Sequence, residues 1–146
     1  MAWVAFLVSL LAGASNPFQS ATNGELNKQL HQPIWAGIVT YATGLLGLLL
    51  IQLFVREPLP TGQAGHVQWW AWMGGLISIL ATMAGLLMVH KLGSGVFTSL
   101  SLTASLVISV VLDHFGLVGL KQHPASVGRL AGCALLIVGV WLVSKF

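Results

Sequence analysis

"IWAGIVTYATGLLGLLLIQLFV" (Ile34–Val55) runs from end to end without a charged side chain. An α-helix needs about 20 mostly apolar residues to cross a hydrocarbon layer roughly 30 Å thick. This stretch meets that length by itself. Four others share its character: Ala2–Thr22, Trp69–Val89, Gly95–Asp113 and Val127–Ser144. Backbone amides inside lipid must be paired within the element, so these runs are expected to be helices. Barrel strands would be roughly ten residues long and would alternate in polarity, and no such alternation is present.

Composition points the same way. Of 146 residues, 56% are hydrophobic and 6% charged, against about 25% charged in an ordinary soluble domain. So few ionic groups cannot coat a water-facing surface, so lipid is the expected surroundings. The expected fold is an all-α integral membrane protein with five transmembrane helices in one domain, residues 1–146.

The same composition excludes several function classes. The six basic residues, Lys28, Arg56, Lys91, Lys121, Arg129 and Lys145, stand singly; no basic stripe for nucleic acid forms. Cys133 is the one cysteine, so no intrachain disulfide is available. The histidines at 31, 66, 90, 114 and 123 fall at span ends or in links. No two share a helix at metal-ligand spacing, and neither metal nor cofactor is expected. No nucleophile–base constellation and no phosphate-binding glycine loop followed by lysine is visible, which argues against an enzyme or an ATP-driven pump.

The span ends are punctuated. Pro33 suits a helix start, "REPLPTGQAG" (Arg56–Gly65) is rich in turn residues, and "DHFGLVGLKQHP" (Asp113–Pro124) closes the fourth span. Trp69, Trp70 and Trp72 open the third helix; Trp3, Trp35 and Trp141 lie near other ends, as in aromatic belts. The basic residues split evenly between the two sides. Lys28, Lys91 and Lys145 fall on one, Arg56, Lys121 and Arg129 on the other, so the positive-inside rule gives no orientation. Such a tie fits either a weakly charged chain or insertion both ways round. Two copies of opposite sense would reproduce the inverted-repeat plan of many transporters.

Two helix faces carry polar residues. On the fourth, Ser101, Ser105, Ser109 and Asp113 recur every fourth residue. Serines in membrane helices either bond back to the i−4 carbonyl at close packing contacts or line a cavity; both readings stand. Asp113 lies at the helix C-terminus, the unfavourable end for an anion. Its expected role is structural, holding turn amides or a basic residue such as Arg129, with proton or cation coupling as the alternative. On the first helix, "GASNPFQSATNGEL" (Gly13–Leu26) puts Asn16, Ser20 and Asn23 on one face with Gln19 beside them. Pro17 leaves the Gly13 carbonyl without its usual donor. These residues are substrate-path candidates, with interhelical bonding as the other reading. Gly128, Gly132 and Gly139 form a small-residue face expected to pack another helix.

The stretch Gly13–Leu26, "WWAWMGG" (Trp69–Gly75), "LDHFGLVGL" (Leu112–Leu120) and "GRLAGCALLIVG" (Gly128–Gly139) together resemble the YdcZ-like (DUF606) family. These are small five-helix proteins of the bacterial inner membrane within the drug/metabolite transporter superfamily. The resemblance implies one half of a ten-helix inverted-repeat transporter, completed by a second copy or a homologous five-helix subunit. It implies a small solute, moved by proton coupling or antiport. Ser105 stands where that family often has glutamine, while Ser109 and Asp113 match. The deep helix-one glutamate of the smallest multidrug members has no counterpart, since Glu25 lies past Asn23 at the helix exit. The leading expectation is therefore a multi-pass small-molecule transporter acting as an antiparallel dimer. A non-transporting subunit paired with another membrane protein is the alternative, and a small ion channel a weaker one.

Overall fold

The computed structural model describes residues Ala2–Phe146. Among them are five α-helices and no strand: α1 (Ala2–Leu30), α2 (Pro33–Val55), α3 (Gly74–Leu92), α4 (Ser94–Phe115) and α5 (Val127–Lys145). Short 3₁₀ turns occupy Ala64–His66, Trp69–Met73 and Leu117–Gly119. Four segments are long and apolar enough to cross a membrane: α2, Trp69–Leu92, α4 and α5. The protein is an all-α membrane protein.

Three boundaries differ from the expected ones. α1 continues past Thr22 to Leu30, through Pro17. Polarity marks where lipid ends, not where helical hydrogen bonding ends. The residues beyond Thr22 include the good helix formers Glu25, Leu26, Lys28 and Gln29, and Gln29 Nε2 donates to Glu25 Oε1 one turn back (3.0 Å). At about 1.5 Å per residue the 29-residue helix is longer than the hydrocarbon layer is thick, and its charged residues are confined to its last two turns. The third span also begins differently, as a 3₁₀ turn over the tryptophans before α3 proper. The third span also ends later than expected, at Leu92 and not Val89, while the expected ends at residues 34, 95, 113 and 144 lie within two residues of the observed ones.

The helix ends follow local rules. Pro33 fills the first position of α2, where a missing N–H costs nothing. The helix closes at Arg56, in left-handed conformation, whose amide donates to the Gln52 carbonyl (2.8 Å). α4 closes at Gly116 (φ 61°), the position at which a Cβ would be strained. Ser126 caps α5 by accepting from the Arg129 amide (3.3 Å).

The chain divides into two compact units, one ending at Lys91 and the other Leu92–Phe146. In the first, the C-terminal half of α1 meets the N-terminal half of α2 and the C-terminal half of α3. Glycines permit the approach. A Cβ on Gly24 would collide with Val89 Cγ1 and lie 3.2 Å from His90 Cδ2 and Nε2; one on Gly37 would meet Met83 Cε at 2.6 Å. Ala36, Leu86 and Val89 are buried there. In the second unit α4 packs on α5, with Thr103 and Cys133 buried.

Beyond these few, the large apolar side chains are exposed: Leu48 is 66% accessible, Leu80 74% and Leu135 72%. Burying each in water would contribute about 1.5–3 kcal/mol, and the fold forgoes it. Lipid replaces water on those faces.

The glycine contacts set the first test. Gly24→Ala is expected to destabilise the detergent-solubilised protein by about 1–3 kcal/mol through overpacking against the stiff Val89. Gly44→Ala, with nothing within 4 Å of its Cβ position, is expected to leave stability unchanged or raise it by up to about 1 kcal/mol. Equal losses in thermal unfolding would contradict this packing.

Candidate functional site

The polar face of α1 splits into two parts. Asn23 and Asn27, towards its C-terminal end, are both bonded across helices. The Thr40 hydroxyl donates to Asn23 Oδ1 (3.1 Å), its proton shared with the Ala36 carbonyl (2.9 Å). Asn27 Nδ2 donates to the Leu86 carbonyl of α3 (2.9 Å). Asn16 and Gln19, nearer the middle of the chain's apolar run, are exposed, and Ser20 is half-buried. Among the described residues, neither Asn16 nor Gln19 has a side-chain hydrogen-bond partner.

Asn16, Ser20, Asn23 and Asn27 lie at successive i+3 and i+4 steps, hence on one face. α2 follows α1 after a two-residue link and runs back alongside it. With Asn23 opposite Thr40, the antiparallel register brings Ser20 level with Thr43 and Gly44, and Asn16 level with Gly47. Cβ positions on Gly44 and Gly47 meet nothing within 4 Å. Beyond the Asn23–Thr40 bond the two helices share no further side-chain hydrogen bond among the described residues, and Asn16 and Gln19 stay exposed. In a hydrocarbon surrounding, each unpaired amide costs roughly 4–8 kcal/mol on the cyclohexane scale. Exposed amides such as Asn16 and Gln19 therefore call for water, a solute or protein beside them, not lipid tails.

The Tyr41 hydroxyl lies 2.8 Å from Ser78 Oγ and 2.9 Å from Thr82 Oγ1. This triad satisfies itself and ties α2 to α3. The sequence signals for it were the lone tyrosine in a span and the Ser78/Thr82 pair one turn apart. Asn27 and Thr40 were not singled out from the sequence. Asn27 could have been, as the i+4 neighbour of Asn23; Thr40 carries no such signal.

Beyond Thr22, where the apolar span of α1 ends, Glu25 accepts from Gln29 and has Lys28 Nζ and His90 Nε2 each 3.8 Å from Oε2. The Gln29 hydrogen bond first, then Lys28 and the weaker influence of His90, hold its carboxyl below the usual Glu range. Gly24 lets the His90 ring come this close.

In the second unit, Asp113 receives Arg129 Nη1 at Oδ2 (3.3 Å). Both side chains are about a third or more exposed, so this pair contributes only about 0.2–1 kcal/mol. Backbone bonds do more of the holding. The Asp113 carbonyl accepts from the His123 amide (2.7 Å), Gln122 Nε2 donates to the His114 carbonyl (3.0 Å), and the Ala125 amide donates to His114 Nδ1 (3.0 Å). "DHFG" thus closes a tight return onto α5. An open depression of about 350 Å³ beside it is lined by Val110, Val111, His114, Phe115, Ala125 and Leu130. Its lining is apolar apart from a histidine already in use, so it offers no polar recognition.

Ser101, Ser105 and Ser109 are exposed, while the face of α4 turned to protein carries Thr103, Val107 and Val110. The Thr98 hydroxyl is buried without a partner among the described residues. Gly132 and Gly139 have nothing within 4 Å of a Cβ position, and Gly128 only its own cap serine at 3.9 Å. The close helix approaches within the chain occur at Gly24 and Gly37 instead.

Two tests follow from this sorting. Asn23→Ala and Asn27→Ala are each expected to lower stability by about 0.6–2 kcal/mol, the worth of an interhelical bond in a membrane. Asn16→Ala should stay within about 0.5 kcal/mol of the parent in the same thermal assay. For Glu25, a depressed folded pKa means its contribution is complete above the ordinary value of about 4.3 and fades as pH falls through the lower folded value. Thermal unfolding of the parent should show that acid step, and Glu25→Gln should lack it.

Residues 4–142 match the family described as "Putative inner membrane exporter, YdcZ". No curated protein and no solved structure matches the chain.

Proposed function

The chain belongs to the YdcZ family of inner-membrane exporters, and from that premise we propose that it is a secondary transporter of a small molecule, built as an antiparallel pair of five-helix chains. One observation carries the reading: on α1, which begins with a long apolar run, Asn16 and Gln19 are exposed amides without a side-chain hydrogen-bond partner among the described residues. A packing helix would have used or lost such groups. A solute path needs them.

The pairing rests on three supports. With α1 spanning beside the four apolar helices, as this reading has it, the chain ends fall on opposite sides of the membrane. The basic residues divide three against three, leaving insertion unbiased. The α5 face of Gly128, Gly132 and Gly139 is open and suits a close helix neighbour, here a second copy or a homologous subunit. In this reading Asn16, Gln19 and Ser20 begin the path. The exposed hydroxyls of Ser101, Ser105 and Ser109 are further candidates for it. Asn23 closes one end, and Asp113 holds the turn before α5.

The test is orientation. A C-terminal fluorescent protein, which matures in the cytoplasm, and a C-terminal phosphatase, active only outside it, should both give signal from the parent chain. Lysines added to the Glu57–Gly65 link should silence one of the two. A parent that shows a single orientation overturns pairing with its own copy and leaves the homologous subunit as partner.

A further inference from the structure

We infer that α1 carries a hinge at "AGASNP" (residues 12–17), about which its N-terminal half turns while its C-terminal half stays fixed to α2 and α3. The hinge goes beyond the transporter reading and stands whether or not a solute is moved.

Three features of the first unit meet at this turn. The first is a weak backbone ladder. Pro17 has no amide to donate to the Gly13 carbonyl, and its ring crowds that carbonyl, which is how a proline loosens a helix interior. The Ser15 hydroxyl bonds back to the Ala12 carbonyl (2.7 Å), and back-bonding of this kind bends helices. The second is propensity. Gly13, Ser15, Asn16 and Pro17 are all poorer helix formers than Leu7, Leu10 and Leu11 before them. A Cβ on Gly13 would meet nothing within 4 Å, so packing does not require glycine there. Its effect is on the backbone, which it holds less firmly in a helix than alanine does.

The third is anchoring. The links from α1 to α2 and α3 lie C-terminal to Pro17: Asn23 with the Thr40 hydroxyl, Asn27 with the Leu86 carbonyl, and the close approach of Gly24 to Val89 and His90. N-terminal to Pro17 the side-chain bonds are local. Ser9 returns to the Ala5 carbonyl (2.8 Å), and residues 3–16 are exposed. One half of the helix is thus tied to its neighbours and the other is held by its own ladder. Bending gathers at the weakest turn between them.

The hinge also governs the two amides. Asn16 precedes Pro17 and Gln19 follows it by two residues, so a bend changes the spacing of their side chains. A molecule bonded to both would favour one bend over the others.

The experiment measures spin-label distances in the full chain in lipid nanodiscs, diluted with unlabelled chain. Cys133→Ala leaves only introduced cysteines to carry the labels. Leu7→Cys with Leu45→Cys reads across the hinge, and Phe18→Cys with Ile34→Cys reads within the anchored part; all four positions are exposed. The distance distribution across the hinge is expected to be at least about twofold broader than the anchored one. Gly13→Ala with Pro17→Ala, which returns a donor to the Gly13 carbonyl, should narrow it to the anchored width. Gly13→Ala alone, which meets no steric obstacle, should narrow it in part and decides the matter where the double variant fails to fold.

A parent distribution across residues 12–17 as narrow as the anchored one overturns the hinge. A broad distribution that neither variant narrows places the bending elsewhere and overturns its assignment to this turn. Neither result touches the transporter reading, which the orientation test addresses.

Discussion

A polar group surrounded by hydrocarbon has no water to fall back on, so its partner must come from the protein. The backbone meets this demand by forming helices. Side chains meet it in two ways here. Hydroxyls such as Ser9, Thr22, Thr43 and Ser99 turn back to a carbonyl of their own helix. Asn23, Asn27 and Tyr41 reach across to another helix. Asn16 and Gln19 do neither. The distinction matters because a hydroxyl always has an i−4 carbonyl within reach, whereas an amide, with two donors and an acceptor, cannot be satisfied by one helix turn. Amides therefore carry more functional information than hydroxyls in this chain, and the α1 face says more than the serine series of α4.

The same constraint explains how the two units are held. In the first, close approach at Gly24 and Gly37 lets short polar side chains span the gap between helices, and three separate links, Asn23–Thr40, Asn27–Leu86 and Tyr41–Ser78, gather at one end. Towards the other end of α1 such links stop. In the second, the return from α4 to α5 is secured mainly by backbone carbonyls and the His114 ring, with the Asp113–Arg129 pair as a modest addition. Val118, in left-handed conformation (φ 56°) between Gly116 and Gly119, is the cost of that tight return, since a β-branched residue disfavours it. A polar site and a structural turn thus use the same residue types for different ends.

Much of the fold was readable along the chain because lipid reduces the problem to one variable. A run of apolar residues long enough to span is a helix, whatever it packs against. Four such runs qualify in the structure, and α1 is helical too. Its end was not readable, because the last turns are polar and only hydrogen bonding, which composition does not report, keeps them helical. Small-residue spacing was a weaker guide. It marked Gly128, Gly132 and Gly139 on α5 and Gly37, Gly44 and Gly47 on α2, of which only Gly37 makes a tight contact with another helix, and it did not mark Gly24.

The candidate site shows where that boundary lies. Sequence alone determined that the protein lives in a membrane, that its helices are uncharged through their middles, and that α1 carries Asn16, Gln19, Ser20 and Asn23 on neighbouring positions. It could not separate them, because helical periodicity fixes which residues share a face but not which of them meets a partner. Tertiary structure decided that: the packing of α1 against α2 gives Asn23 its Thr40 and leaves Asn16 exposed. An amide becomes structural or free according to what the facing helix presents at the same height, and that is a property of two segments together, never of one.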